Sequence, residues 1–263
     1  FPIHENLVSI SKNGSSIKTF PTYFEELTEI REMPEPRNFY DNKFYISNKK
    51  RTEKVPFIVN ETVIEKSLSQ ILGKLVDMVK TPMVNNPKVF YSQKSDDVYR
   101  EMMENSDNFL AEHLLILASS TLPGKLSASE TITFSKRYLL NDLKQQPEWF
   151  DGSGLSRYNL FTPQSFAQVL GKMYNEFPEQ RLFSIFPIGG KTGTIKNRYK
   201  DSAQPYIYAK TGTLNNNVTL SGYLKTKSGR TLIFSLMNNN SIKDLSWIRN
   251  ENEKLLRIIR DNY

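Results

Sequence analysis

The sequence predicts an α+β protein, and three features lead to that class. The N-terminal part alternates apolar and polar residues like strands, the middle carries apolar residues at helical spacing, and the C-terminal part has three short β runs before a final helical segment. Helices that precede an antiparallel sheet, instead of alternating with its strands, are typical of layered α+β domains.

The N-terminal part is predicted to be β-rich. NLVSISKNGSSIKTF (6–20) predicts two strands with a turn at Gly14, and KFYISN (43–48) predicts a further short strand. An amphipathic helix is expected over residues 61–80, where apolar residues recur every three or four positions. We place a domain boundary near Val55, which gives domains 1–55 and 56–263.

The remaining elements are predicted from the same signals. Thr162 is the expected N-cap of a helix that has Pro163 at its first position. We expect, in order, a strand at 88–92, two helices over 95–120 joined across residues 105–108, helices at 129–146 and 162–177, strands at 204–212, 217–229 and 230–240, and a helix at 242–263.

Composition excludes several kinds of chemistry. The net charge is +7, but the lysines are scattered, which favours a solvated basic surface over a nucleic-acid site. Cysteine is absent, so thiolate catalysis and cysteine-based zinc binding are excluded. The two histidines, His4 and His113, are far apart in sequence and support neither a metal site nor a Ser-His-Asp triad. We expect no metal or organic cofactor, and no apolar run approaches the ~20 residues of a membrane helix. His113, within AEHLLIL, is expected to pack on its helix.

The tetrapeptide Lys-Thr-Gly-Thr occurs twice, at 191–194 and at 210–213. A phosphate-binding Walker A loop would need glycine where Ile185 stands, so the first copy does not fit that motif. The first copy follows FPIGG and is expected to be a loop. The second ends an apolar run and is expected to lie on a strand.

Two sequence motifs indicate serine chemistry without histidine. Ser106-Asp107-Asn108 lies at the predicted helix junction, where a hydroxyl could relay a proton and the Asn108 amide could donate to a substrate carbonyl. The same three residues also form a good helix-capping sequence. We take Ser106, Asn108 and Lys210 as the candidate catalytic residues.

The second motif is Lys210-Thr211-Gly212, followed by Thr213. The Lys210 ammonium and the Thr211 hydroxyl suit a substrate carboxylate. Gly212 leaves room for an extended peptide against the strand edge, and the Thr213 N–H could form half of an oxyanion hole. Thr211, Gly212 and Thr213 are therefore candidate substrate-binding residues.

A third block, Asp151-Gly152-Ser153-Gly154-Leu155-Ser156-Arg157-Tyr158-Asn159, is also a plausible Gly/Ser loop before a helix. With the other two motifs, it makes most of the chain resemble the D-alanyl-D-alanine carboxypeptidase/endopeptidase family typified by penicillin-binding protein four. The resemblance implies a penicillin-binding, transpeptidase-like (β-lactamase-like) catalytic domain and places residues 1–55 in a small β-rich inserted domain. It also implies substrate-binding roles for Asp151 and Ser153.

The resemblance further implies a substrate, partners and a location. The substrate would be peptidoglycan stem peptides ending in D-Ala-D-Ala, or their cross-links, attacked through an acyl-serine intermediate that β-lactam antibiotics also form. Such a substrate places the protein outside the cytoplasmic membrane of a bacterium, in the periplasm or its equivalent. Trimming and cross-link cleavage both remain open.

The nucleophile motif of this family, Ser-x-x-Lys, has two matches here, Ser9 to Lys12 and Ser15 to Lys18. Both lie in strand-like sequence, whereas the chemistry needs the two side chains one helical turn apart. We therefore expect the chain to be a fragment that lacks the acylating serine, with a missing N-terminal portion as a possible partner. A catalytically inactive peptidoglycan-binding or scaffolding relative remains an alternative, as does a β-lactamase-like hydrolase.

Overall fold

The structure is a computed structural model that describes residues 6–82, 86, 88, 91 and 93–263. It divides into two compact units, residues 1–89 and 90–263. The boundary predicted near Val55 separates an inserted domain from the catalytic domain. The division into compact units does not test it, so it stays a prediction. His4 and most of the predicted strand at 88–92 lie outside the described residues.

The first unit is rich in strands. Its elements are β1 (Leu7–Asn13), β2 (Ser16–Phe20), β3 (Thr28–Ile30), β4 (Phe44–Ile46), β5 (Thr52–Pro56) and α1 (Glu61–Leu72). An antiparallel sheet has the order β2-β1-β5, and β3 pairs with β4 in parallel. Val8 and Ile10 of β1 pack in the core with Phe24 and Phe44. The predicted hairpin and the short strand within 43–48 are confirmed.

Helix α1 ends eight residues before the predicted position. Gly73 adopts a left-handed conformation with φ +61°, and its N–H donates to the carbonyl of Ser69. Glycine takes this conformation without steric cost, so it ends the helix although the apolar spacing continues.

The second unit contains the predicted motifs. Its elements are α2 (Ser95–Asn105), α3 (Asn108–Ala118), α4 (Ala128–Phe134), α5 (Pro163–Glu176), α6 (Glu179–Ile185), β6 (Ile207–Leu214), β7 (Asn217–Lys225), β8 (Thr231–Asn238) and α7 (Leu245–Asn262). The three strands form an antiparallel sheet in the order β6-β7-β8. The Thr162 hydroxyl accepts from the N–H of Ser165 and caps α5 as predicted.

The sheet of the second unit has helices on both faces. On one face, Ile207 and Leu220 pack with Leu256 of α7 and with Ile195. On the other, Tyr223 packs with side chains of α5 and α6. Both faces of β7 are therefore buried, and β6 is an edge strand.

Two further elements differ between the prediction and the structure. The helix expected over 129–146 is α-helical only to Phe134, because one wider π-type turn follows over residues 135–139 and ends it. The short helix α6 was not predicted, since it begins directly after Pro178 within a segment of mixed character.

Candidate active site

Ser106 lies at the junction of α2 and α3. It has a left-handed backbone with φ 55° and ψ 48°, and its N–H donates to the carbonyl of Met102 at the end of α2. Few residues other than glycine adopt this conformation. Asp107 follows as the N-cap of α3, with its carboxylate accepting from the N–H of Leu110 at 2.9 Å. Asp107 therefore does the capping, and Ser106 and the exposed Asn108 keep their side chains for other contacts.

Lys210 of β6 reaches this junction. Its Nζ donates to the Ser106 Oγ at 2.6 Å and to the Thr211 carbonyl at 2.7 Å. Burial lowers the pKa of Lys210 to about 8, because removal from water disfavours the charged form. Both hydrogen-bond partners are neutral oxygens, so the charge of the buried ammonium is not compensated by them. An anionic group placed there would be stabilised.

The outer edge of β6 is hydrogen-bonded to another segment of the chain before Lys210. Before it, the segment 187–189 pairs with the strand: the N–H of Gly189 donates to Ile207 O at 2.9 Å, and the N–H of Ala209 donates to Pro187 O at 3.0 Å. Backbone groups of alternate residues point to the same edge of an antiparallel ladder. The N–H groups of Thr211 and Thr213 therefore also point outward.

Gly212 faces the neighbouring strand. It is paired with Thr219 of β7, and a Cβ on Gly212 would lie 2.5 Å from the Thr219 Oγ1. The glycine therefore also serves close cross-strand packing, which sequence reasoning did not anticipate.

Two side-chain contacts of β6, both on the face opposite Lys210, were not predicted from the sequence. The Thr211 and Thr194 hydroxyls lie 2.7 Å apart, and Thr194 belongs to the first copy of Lys-Thr-Gly-Thr. The first copy is a loop, as expected, with a 3₁₀ turn over Gly193–Ile195. The Nη2 of Arg249 on α7 donates to the Thr213 Oγ1 at 3.1 Å. The repeated tetrapeptide was the available signal for Thr194; none marked Arg249.

Asp151 organises its own loop. Its carboxylate accepts from the N–H groups of Gly154 and Ser156 and from the Asn159 side chain, at 2.8–3.1 Å. Burial by itself raises the pKa of Asp151, but these hydrogen bonds outweigh it and hold the pKa below the usual value. The Ser153 hydroxyl accepts from the N–H of Leu155 at 3.1 Å. Both side chains proposed for substrate binding are thus engaged within the loop.

The loop is fixed to α3 by Glu112. One carboxylate oxygen of Glu112 accepts from the N–H groups of Gly152 and Ser153, at 2.6 and 3.0 Å. A Cβ on Gly152 would lie 2.8 Å from the Ala111 carbonyl and 2.9 Å from the Leu115 Cβ, so only glycine fits. The structure therefore joins Lys210 to Ser106 and to the Thr211 backbone carbonyl, and it connects the loop to this junction through α3.

The other candidate residues have different local settings. Ser9 and Lys12 lie on β1, where an odd spacing puts side chains on opposite faces, and Lys18 lies on β2. His113 is half-buried, with Nδ1 2.8 Å from the Phe109 carbonyl. Within the described ranges, no cluster of acidic or histidine side chains could hold a metal ion, and no helix has the length and apolarity to span a membrane.

Comparisons with known proteins identify the family of the chain. The model of the D-Ala-D-Ala carboxypeptidase 3 (S13) family matches residues 61–259. Carboxypeptidase DacB of Mycolicibacterium smegmatis is 29% identical over 151 residues, 54% of this chain and 33% of that protein. D-alanyl-D-alanine carboxypeptidase DacB of Haemophilus influenzae is 29% identical over 163 residues, 59% of this chain and 34% of that protein. The chain thus spans about a third of the length of these relatives.

The fold has a solved counterpart. The crystal structure of penicillin binding protein 4 (dacB) from Haemophilus influenzae, in complex with a β-lactam, matches with a TM-score of 0.66 and 21% identity, covering 97% of this chain and 69% of that one. At this identity, the match shows the fold. The chain belongs to the D-Ala-D-Ala carboxypeptidase 3 (S13) family, which confirms the fold class and the resemblance.

Proposed function

We propose that the protein is a serine-type D-Ala-D-Ala carboxypeptidase/endopeptidase that acts on peptidoglycan stem peptides outside the cytoplasmic membrane. The observation that carries the proposal is the 2.6 Å contact between Lys210 Nζ and Ser106 Oγ. It joins two motifs that are 104 residues apart in sequence. The contact lies beside the part of β6 where the N–H groups of Thr211 and Thr213 point outward.

The geometry suits a peptide that ends in a carboxylate. The partly buried ammonium of Lys210 would attract that carboxylate, since charge-assisted hydrogen bonds strengthen away from water. The hydroxyl of Thr211, the next residue of β6, would donate to the same carboxylate at the edge of the strand. The peptide can lie along the outer edge of β6, where the N–H of Thr213 points outward and would stabilise the oxyanion that forms at the scissile carbonyl. Asn108 is the first residue of α3, and its side-chain amide would donate to the peptide.

Ser106 is suited to move a proton. Because Lys210 donates to its Oγ, the hydroxyl proton of Ser106 can point toward the substrate. In acylation, a reactive serine forms an ester with the penultimate residue as the peptide C–N bond breaks. Ser106 gives its proton to the departing D-Ala amine and takes up the proton that the reactive serine loses. Water then hydrolyses the ester.

We further propose that the reactive serine lies outside these 263 residues. Helix α3 supports this: NFLAEHLLILA is apolar around most of its circumference, yet none of its residues is fully buried and Leu117 is 59% exposed. A helix that is apolar on nearly all sides is normally buried. A further segment that packs on α3 would cover it and bring a Ser-x-x-Lys helix beside Ser106.

Labelling with a fluorescent penicillin tests the function. The complete gene product is expected to form a covalent adduct on a serine outside these 263 residues, and the 263-residue chain alone is expected to form none. An adduct on Ser9 or Ser15 would overturn the placement of the nucleophile. A complete gene product that binds peptidoglycan but forms no adduct would support the inactive, binding-only relative instead.

A further inference from the structure

The loop that carries the first Lys-Thr-Gly-Thr is rigidly built. The N–H groups of Lys191 and Thr192 both donate to the Ile188 carbonyl at 3.0 Å, and the Thr192 Oγ1 accepts from the Ile188 N–H at 3.1 Å. The N–H of Gly190 donates to the carbonyl of Ile195, which is 1% exposed in the core. The fold therefore sets where Thr194 lies, immediately before Ile195.

The same loop touches the end of α2. Gly193 has φ +61°, and a Cβ there would lie 2.9 Å from the Pro187 Cβ and 3.1 Å from the Glu104 Cα. Glu104 precedes Ser106 by two residues. One loop therefore packs against the helix that ends at Ser106 and also contacts Thr211 of the adjacent strand.

The direction of the bond between the Thr194 and Thr211 hydroxyls follows from the ligand. An ionised carboxylate only accepts hydrogen bonds, so Thr211 must donate its single hydroxyl proton to it. Thr211 then has only acceptor positions left for Thr194, 2.7 Å away. With ligand bound, Thr194 must therefore be the donor.

We propose that Thr194 is a positioning residue that donates to the Thr211 hydroxyl and turns its proton toward the substrate carboxylate. This inference rests on the proposed function. It gives the first tetrapeptide copy a role through Thr194, whereas the exposed Lys191 takes no part.

The test uses the complete gene product and its rate of acylation by a penicillin, which carries a carboxylate. Thr194→Val removes the donor at equal size, and the rate constant is expected to fall about three- to tenfold, as for the loss of one neutral hydrogen bond. Thr194→Ser keeps the donor and should restore the rate to within about twofold. Lys191→Ala should leave the rate unchanged, and the unfolding midpoint of each Thr194 variant should match wild type.

A second background separates positioning from a general structural role. If Thr194 acts through Thr211, Thr194→Val should have no further effect in a Thr211→Val protein. Thr192→Val is the matched control, because that hydroxyl accepts from the Ile188 N–H within the same loop. Its effect should be the same in both backgrounds and should appear in the unfolding midpoint.

The possible results distinguish failure of this inference from failure of the proposed function. Unchanged acylation in Thr194→Val, or an equal loss in the Thr211→Val background, would overturn the inference while the proposed function stands. A wild-type protein that forms no acyl adduct would overturn the proposed function and this inference with it.

Discussion

Lys210 Nζ donates to Ser106 Oγ at 2.6 Å, and this contact joins the edge strand β6 to the junction of α2 and α3. Burial lowers the pKa of Lys210 to about 8, so the charge state of the site changes close to neutral pH.

Ligand binding should weaken as pH rises through about 8. The free protein loses the Lys210 charge near that pKa, and a neutral amine attracts a carboxylate less strongly. The measurement is the affinity of a peptide ending in D-Ala-D-Ala between pH 6 and 10. In a Lys210→Arg variant that still binds, this decline should be absent, because a guanidinium stays protonated. A flat wild-type profile would contradict the role of the Lys210 charge.

The charge of Lys210 should also lower the free energy of unfolding at neutral pH. Its pKa is about 8 in the folded protein and near 10.5 when unfolded, so below pH 8 the folded state holds a charge it disfavours. Lys210→Met should therefore stabilise the protein at pH 7, by on the order of 1–3 kcal/mol. Between pH 8 and 10.5 the unfolded chain binds more protons, wild-type stability rises, and the advantage of the variant should shrink. Denaturant unfolding at pH 7 and 10 measures this difference. A variant less stable than wild type at pH 7 would contradict it.

Glu112 should hold the Asp151 loop on α3. Glu112→Ala removes the acceptor shared by the N–H groups of Gly152 and Ser153. We expect a loss of about 1–3 kcal/mol and faster hydrogen exchange at those two amides. Glu148→Ala, at an exposed glutamate near the same loop, is the matched control and should change neither quantity. Unaltered exchange at both amides in Glu112→Ala would show that the loop is held by other contacts.

Substitution of Gly193 should lower stability through the size of the new side chain as well as through the backbone conformation. Gly193→Ala places a Cβ within 3.1 Å of Pro187 and Glu104 at φ +61°. Gly229→Ala has a similar positive φ, +86°, but open space around the Cβ. Both should lower stability by about 1 kcal/mol for the backbone, with at least about 1–3 kcal/mol more at Gly193 from overpacking. Equal unfolding midpoints for the two variants would argue against tight packing of this loop on α2.

The sequence predicted features whose cause is local. Thr162 caps α5 and Lys210 lies on a strand, because capping chemistry and apolar patterning act over a few residues. The end of α1 was misplaced because Gly73 outweighed an apolar pattern that continued beyond it. Thr194 and Arg249 were missed because their contacts with Thr211 and Thr213 depend on how a loop and a helix pack on β6. For Asp151 and Ser153, the substrate-binding roles stay a prediction beside the loop contacts that the structure shows.

The two lysines of the repeated tetrapeptide give the most direct test of the central claim that Lys210 and Ser106 form the centre of the active site. The measurement is the rate of D-Ala release from a D-Ala-D-Ala peptide by the complete gene product. Lys210→Ala should lower the rate at least ~100-fold, because it removes both the carboxylate partner and the Ser106 donor. Lys191→Ala, at an exposed side chain of the loop, should stay within about twofold of wild type. Equal losses from both substitutions, or full activity of Lys210→Ala, would contradict the account.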